Sequence, residues 1–135
     1  MLLFSQEWVD TYAGLLNESA AYEEAAKTWE GDFIFIALDD KTKEVVKAAY
    51  FDLWHGKSRQ QWEVTDVENP GVTPEFVIQA PMATWKLVLA KKLDPIQGLM
   101  AGKLRLTGTM TKIMRAVKAA QELVNTTTKV ETEFE

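Results

Sequence analysis

The spacing of apolar residues along this chain changes several times, and each change marks a new element. From Ser5 to about Thr28, Trp8, Tyr12, Leu15, Leu16, Ser19 and Tyr22 or Glu23 approximate a helical stripe. Ser5 can cap that helix, and Glu7 and Asp10 suit its positive end. Gly14 and Asn17 weaken the stripe, so a kink or break is expected near them. Asp32 to Leu38 is nearly continuous apolar sequence, which predicts a central strand covered on both faces. After the polar turn Asp39 to Lys43, the stretch Val45 to His55 predicts a second strand. Ala49, Phe51 and Leu53 share one of its faces; Ala48, Tyr50, Asp52 and Trp54 share the other. Gly56-Lys57-Ser58 turns the chain into a third strand, Arg59 to Asp66, whose alternation leaves one face wet. These three strands predict an antiparallel meander.

Glu68 to Pro74 is a loop by its turn residues, and Glu75 to Gln79 predicts a fourth strand around Phe76, Val77 and Ile78. Pro81 opens a helix that turns Met82, Trp85, Val88, Leu89 and Leu93 inward and keeps Lys86, Lys91 and Lys92 wet. Asp94-Pro95 starts a short helix on which Ile96, Leu99 and Met100 share a face. Gly102 stops it, Lys103 to Thr107 alternates as a fifth strand, and Gly108 ends that strand. The last helix is expected from about Thr109 to Val124, with Met110, Ile113, Met114, Val117, Ala120, Gln121 and Val124 on its inner face. Residues from about 126 to 135 read as a frayed tail. Neither a repeat nor a linker interrupts the pattern, so one domain over 1–135 is expected.

Part of this pattern resembles a known family. Asp94-Pro95, then Met100-Ala101-Gly102-Lys103-Leu104, then Leu106-Thr107-Gly108 ahead of an amphipathic helix is similar to the C-terminal signature of the sterol carrier protein 2 (sterol-transfer) family. The resemblance implies an α+β fold: a five-stranded, mostly antiparallel sheet with helices covering one face. It implies an apolar tunnel that binds a sterol-like lipid, a fatty acid or an acyl chain, with no cofactor and no catalysis. Carried over residue by residue, the lining would be Trp85, Leu89, Leu99, Met100, Leu104, Leu106, Met110, Ile113, Met114 and Val117, with Phe33, Phe35, Phe76 and Ile78 as the sheet wall. Some bacterial relatives are accessory factors in quinone synthesis, which implies an alternative: a module that presents a lipid-soluble intermediate to partner enzymes.

Composition narrows the classes further. The 135 residues carry a net charge of −5, which argues against a nucleic-acid partner because phosphate binding needs a basic footprint. Positive charge nevertheless concentrates between Lys86 and Lys118, which leaves open a transient contact with a membrane or an acidic partner, an enzyme partner among them; exposed Trp residues would suggest a homodimer. There is no Cys and only one His, His55, so the usual zinc ligand set cannot be assembled. No nucleophile elbow or phosphate loop is present. No apolar run reaches the length of a membrane span, no signal peptide opens the sequence and no peroxisomal tripeptide closes it, so a cytoplasmic protein is expected. Met82, Met100, Met110 and Met114 gather in the last third, where flexible thioethers suit either an irregular core or an adaptable binding surface.

Overall fold

Ser5 caps the first helix as its position suggests: its hydroxyl accepts a hydrogen bond from the Trp8 amide at 3.3 Å, and α1 runs over Gln6–Glu18. The computed structural model describes residues 1–134. The expected break comes at Ser19 rather than at Gly14 or Asn17. Ser19 stands in extended backbone and caps α2 (Ala20–Ala25) by accepting from the Tyr22 amide at 3.1 Å. Asn17 is not a breaker but a clamp. Its side-chain amide exchanges two hydrogen bonds with the backbone of Ser58, at 2.7 and 3.1 Å.

The strands are β1 (Glu30–Leu38), β2 (Val45–Trp54), β3 (Lys57–Glu63), β4 (Phe76–Pro81) and β5 (Arg105–Thr107), in the spatial order β3-β2-β1-β4-β5. β1 lies in the middle, as its unbroken apolar run requires. It pairs antiparallel with β2 and parallel with β4; β2–β3 and β4–β5 are antiparallel. The sheet is therefore mixed and mostly antiparallel. Its faces follow strand parity. Phe33, Ala49, Phe51, Leu53, Phe76 and Ile78 look toward the helices, whereas Ile34, Ile36, Ala48, Tyr50 and Val64 look the other way. Helices cover the first face only. The second is covered by Val67 and Val72 of the β3–β4 loop, with Trp62 and Val77.

Three helices follow β4 before the C-terminus is reached by a fourth. α3 (Met82–Leu89) has no cap of its own; Asp40, from the β1–β2 turn, accepts from the Ala83 amide at 2.9 Å instead. α4 (Pro95–Met100) starts on the Asp94 cap and ends at Gly102, whose φ is +75°. Gly108 links β5 to α5 (Met110–Met114). A Cβ there would stand 2.5 Å from the Phe76 ring, so only glycine lets the chain pass so close to β4.

The last helix is two helices. α5 ends at Met114 and α6 spans Val117–Thr127, separated by Ala116 at φ −116°, ψ 35°. This break rotates the phase of everything after it. The inward positions of α6 are consequently Ala119, Ala120, Leu123, Val124 and Thr127, while Gln121 and Val117 lie outside. The tail is not frayed either. Thr126, Thr127 and Val130 are buried. The Leu3 amide donates to the Glu133 carbonyl at 3.0 Å, and the Glu133 amide to the Met1 carbonyl at 2.8 Å. Backbone pairing, to which side-chain polarity is no guide, holds this segment down. Glu135 lies outside the described residues.

Candidate functional site

Between the sheet and the helices lies an apolar cavity of about 110 Å³. Its floor is Phe33 and Phe35 of β1, Phe51 and Leu53 of β2, and Ile78 of β4. One side is built by Phe4, by Trp8 and Tyr12 of α1, by Tyr22 of α2 and by Trp29. The other side is Trp85, Val88 and Leu89 of α3 with Pro95, Ile96 and Leu99 of α4 and Leu104. Ile113, Ala116 and the inward face of α6 form the roof. Among the described residues no charged side chain takes part.

Aromatic rings give these walls their shape. Phe33 stacks on Phe35 with ring centres 5.3 Å apart and on Phe76 at 5.1 Å; Phe4 meets Trp85 edge-on at 5.4 Å, and Trp8 lies over Tyr12 at 4.9 Å. Such pairs hold flat, rigid surfaces in place more firmly than aliphatic contact alone. The indole N–H groups are turned out of the cavity onto backbone or side-chain oxygens. Trp85 donates to the Ile36 carbonyl at 2.9 Å, Trp29 to the Gly31 carbonyl at 3.0 Å and Trp8 to Thr132 Oγ1 at 2.8 Å. Tyr12 donates to the Leu123 carbonyl at 2.8 Å, tying α1 to α6. Burial pushes the Tyr12 and Tyr22 hydroxyls well above the usual phenol range, because a phenolate would lose its hydration here.

α5 is fixed to the sheet by Lys112. Its ammonium donates to the Glu30 carbonyl at 2.6 Å and to Glu75 Oε2 at 2.8 Å, and lies 5.0 Å from the centre of the Trp29 ring. One end of the roof is thereby anchored by charge, a short distance from a residue that lines the cavity.

The model of the SCP-2 sterol transfer family matches residues 12–121. The chain belongs to that family. Among solved structures, it is similar to a sterol carrier protein 2 crystal structure at 38% identity and TM-score 0.85, with 96% of this chain and 99% of that one covered. It is also similar, at 37% identity and TM-score 0.85, to a conserved hypothetical protein from Thermus thermophilus described as possibly a sterol carrier protein; 98% of this chain and 92% of that one are covered. A sterol carrier protein 2 from Aedes aegypti, solved in complex with the C16 fatty acid palmitate, shares the fold at 17% identity and TM-score 0.57, covering 93% and 98%. No curated protein matches by sequence. The SCP-2 fold is thus that of a lipid-binding and lipid-transfer family. No described helix is long and apolar enough to cross a membrane.

Within this SCP-2 domain, Phe33, Phe35, Ile78, Trp85, Leu89, Leu99, Leu104 and Ile113, eight of the residues carried over from the family, stand around the cavity. The other six expected residues do not line it. Phe76 is wholly buried, but behind the wall, between Phe33, Trp29 and Gly108. Met100 is 68% exposed. Leu104 folds back onto Gly98, with its amide bonded to the Gly98 carbonyl at 3.2 Å, and takes the inward place that helical spacing gave to Met100. Leu106, Met110 and Met114 are half-buried and pack against the core outside the cavity. Val117 is 36% exposed because the Ala116 break turns it outward.

Sequence reasoning missed the first helix as a wall. The signal was present in the Trp8–Tyr12 stripe and in the parity of Phe51 and Leu53, but both read equally well as core. For the α6 face no signal existed, since neither Gly, Pro nor a side-chain cap marks the break.

Proposed function

We propose that the chain binds a hydrophobic molecule, a sterol-like lipid, a fatty acid or an acyl chain, in the cavity between the sheet and the helices. It carries that molecule without altering it. The observation that supports this most is a roofed, wholly uncharged lining within a lipid-transfer fold. Each methylene that leaves water for such a place gains roughly 0.8 kcal/mol, so capture needs no special motif. Among the described residues, the only phenolic or acidic side chains on the lining are two tyrosines held neutral by burial, and the Thr127 hydroxyl beside them donates to the Val124 carbonyl.

Size adds a condition. An apolar cavity of about 150 Å³ takes a benzene ring. A space of about 110 Å³ is therefore smaller than any long acyl chain, and the roof must yield for one to enter. α6 is the element placed to do so, because the break at Ala116 separates it from the anchored α5. The Aedes aegypti protein holds a fatty acid in the same fold, which supports a guest of that size.

The test is direct. The purified protein is extracted with organic solvent and the extract examined for lipid by mass spectrometry; in parallel, uptake of a fluorescent fatty acid is titrated. Stoichiometric lipid or saturable uptake is expected. No extractable lipid together with no uptake would remove the reading.

A further inference from the structure

Every polar group on the cavity wall but one is already committed. The three indoles and the Tyr12 hydroxyl donate to oxygens of the protein, and Thr127 Oγ1 donates to the Val124 carbonyl at 2.6 Å. The exception is Tyr22. Its side chain lines the cavity and is 1% exposed, yet its hydroxyl has no hydrogen-bond partner among the described residues. Buried tyrosine hydroxyls ordinarily find one. No fully enclosed side-chain oxygen of the described residues lacks a partner, so the small surface that Tyr22 keeps includes its hydroxyl. Tyr22 is among the residues that line the cavity.

Tyr22 is also held firmly. Ser19 caps its amide, and the β2–β3 turn lies so close to the next residue that a Cβ on Gly56 would come within 2.7 Å of Glu23 Cα. Lys57 pairs with Glu23 at 3.0 Å across the same contact. A donor fixed in this way, in a wall without cations, is suited to one kind of guest atom.

We infer that Tyr22 is the polar anchor of the cavity, and that it selects lipids whose head is a neutral oxygen, a hydroxyl or a carbonyl, over lipids with an ionised carboxylate. The inference rests on the carrier reading. An uncharged oxygen gives the hydroxyl the partner it lacks. A carboxylate brought to the same place meets no Lys, Arg or His on the lining, and a buried charge without a counter-ion is heavily penalised. The burial that keeps Tyr22 itself neutral acts on the guest in the same direction.

Three compounds of one chain length test this: decane, decanol and decanoate, each displacing a neutral phenylnaphthylamine probe from the wild type and from Tyr22→Phe. The variant keeps the ring, and thermal melting verifies that it is folded. Loss of one neutral hydrogen bond predicts that decanol weakens about three- to tenfold in the variant while decane is unchanged. A decanol affinity that does not change, or an equal loss for both, overturns the anchor. In the wild type alone, decanoate at pH 8 is expected to displace at least about tenfold less well than decanol, and to gain as acidification neutralises it. Decanoate equal to decanol at pH 8 overturns the preference. If none of the three displaces the probe, the carrier reading itself falls.

Discussion

The two faces of the sheet are built from the same strands yet do different work. On the far side, Ile34, Ile36, Ala48, Tyr50 and Val64 pack under the β3–β4 loop, and charge is admitted freely. Asp32 accepts from Tyr50 at 2.8 Å and from the Glu75 amide at 2.7 Å, and Asp52 is gripped by Arg59 at 3.0 Å. On the helix side no charge from the described residues reaches the lining, every polar side chain but Tyr22 is bonded to the protein, and the residues leave a space among them. The far face is closed by the long loop between Glu63 and Phe76, which can settle onto whatever the strands present. Rigid helices, spanning the other face at a set distance, cannot follow each side chain down. A cavity results where aromatic rings prop the helices apart and alanines fail to fill the gap.

The sharpest way to break this contrast is to remove a prop. Phe33→Ala deletes the ring shared by the Phe35, Phe76 and Trp29 stacks and is expected to cost about 3–5 kcal/mol, read by denaturant unfolding. Next, the same kind of enlargement should have opposite consequences on the two faces. Ala48→Leu, with no room beside Tyr50 and Val64, is expected to destabilise by about 1–3 kcal/mol. Ala120→Leu, facing the cavity, should leave stability within about 1 kcal/mol of wild type but sharply reduce lipid uptake. Equal destabilisation by the two would mean that the helix side is as tightly filled as the loop side.

Alkali separates the faces less strongly. Tyr12 and Tyr22 have hydroxyls raised by burial, so the folded chain keeps them neutral where the unfolded chain ionises. Their contribution is complete below the ordinary phenol pKa of about 10 and declines above it, by about 1.4 kcal/mol per pH unit for each such group. Urea melts between pH 9 and 11 should show that decline, and Tyr22→Phe should flatten it. Tyr50, on the far face, is raised first by burial and then by its bond to Asp32, so Tyr50→Phe should flatten it too. The smallest effect is expected from Lys112→Ala. Its ion pair with Glu75 is solvent-exposed and contributes less than about 1 kcal/mol, but faster amide exchange in α5 would reveal the lost anchor.

Much of the fold was legible because alternation reports which way a strand residue points. The parity of Ala49, Phe51 and Leu53, the central place of β1 and the Gly102 and Gly108 turns all follow from such local rules. What was not legible depends on distance rather than residue type. Leu104 and Met100 are equally apolar, and only the fold-back onto Gly98 decides which enters. The phase of α6 depends on a break at Ala116 that no capping residue announces. Asp40 serves α3 from another part of the chain, and the polar tail hides backbone pairing with residues 1–3. Whether apolar side chains meet or stand apart is a matter of volume, and volume is summed over elements far apart in sequence.

Ala116, Ala119 and Ala120 carry one last implication. These three roof positions carry the smallest side chain that has a Cβ, so single substitutions there can lower the roof without disturbing the floor beneath. Each methyl group added there takes volume from the cavity while the sheet keeps its shape.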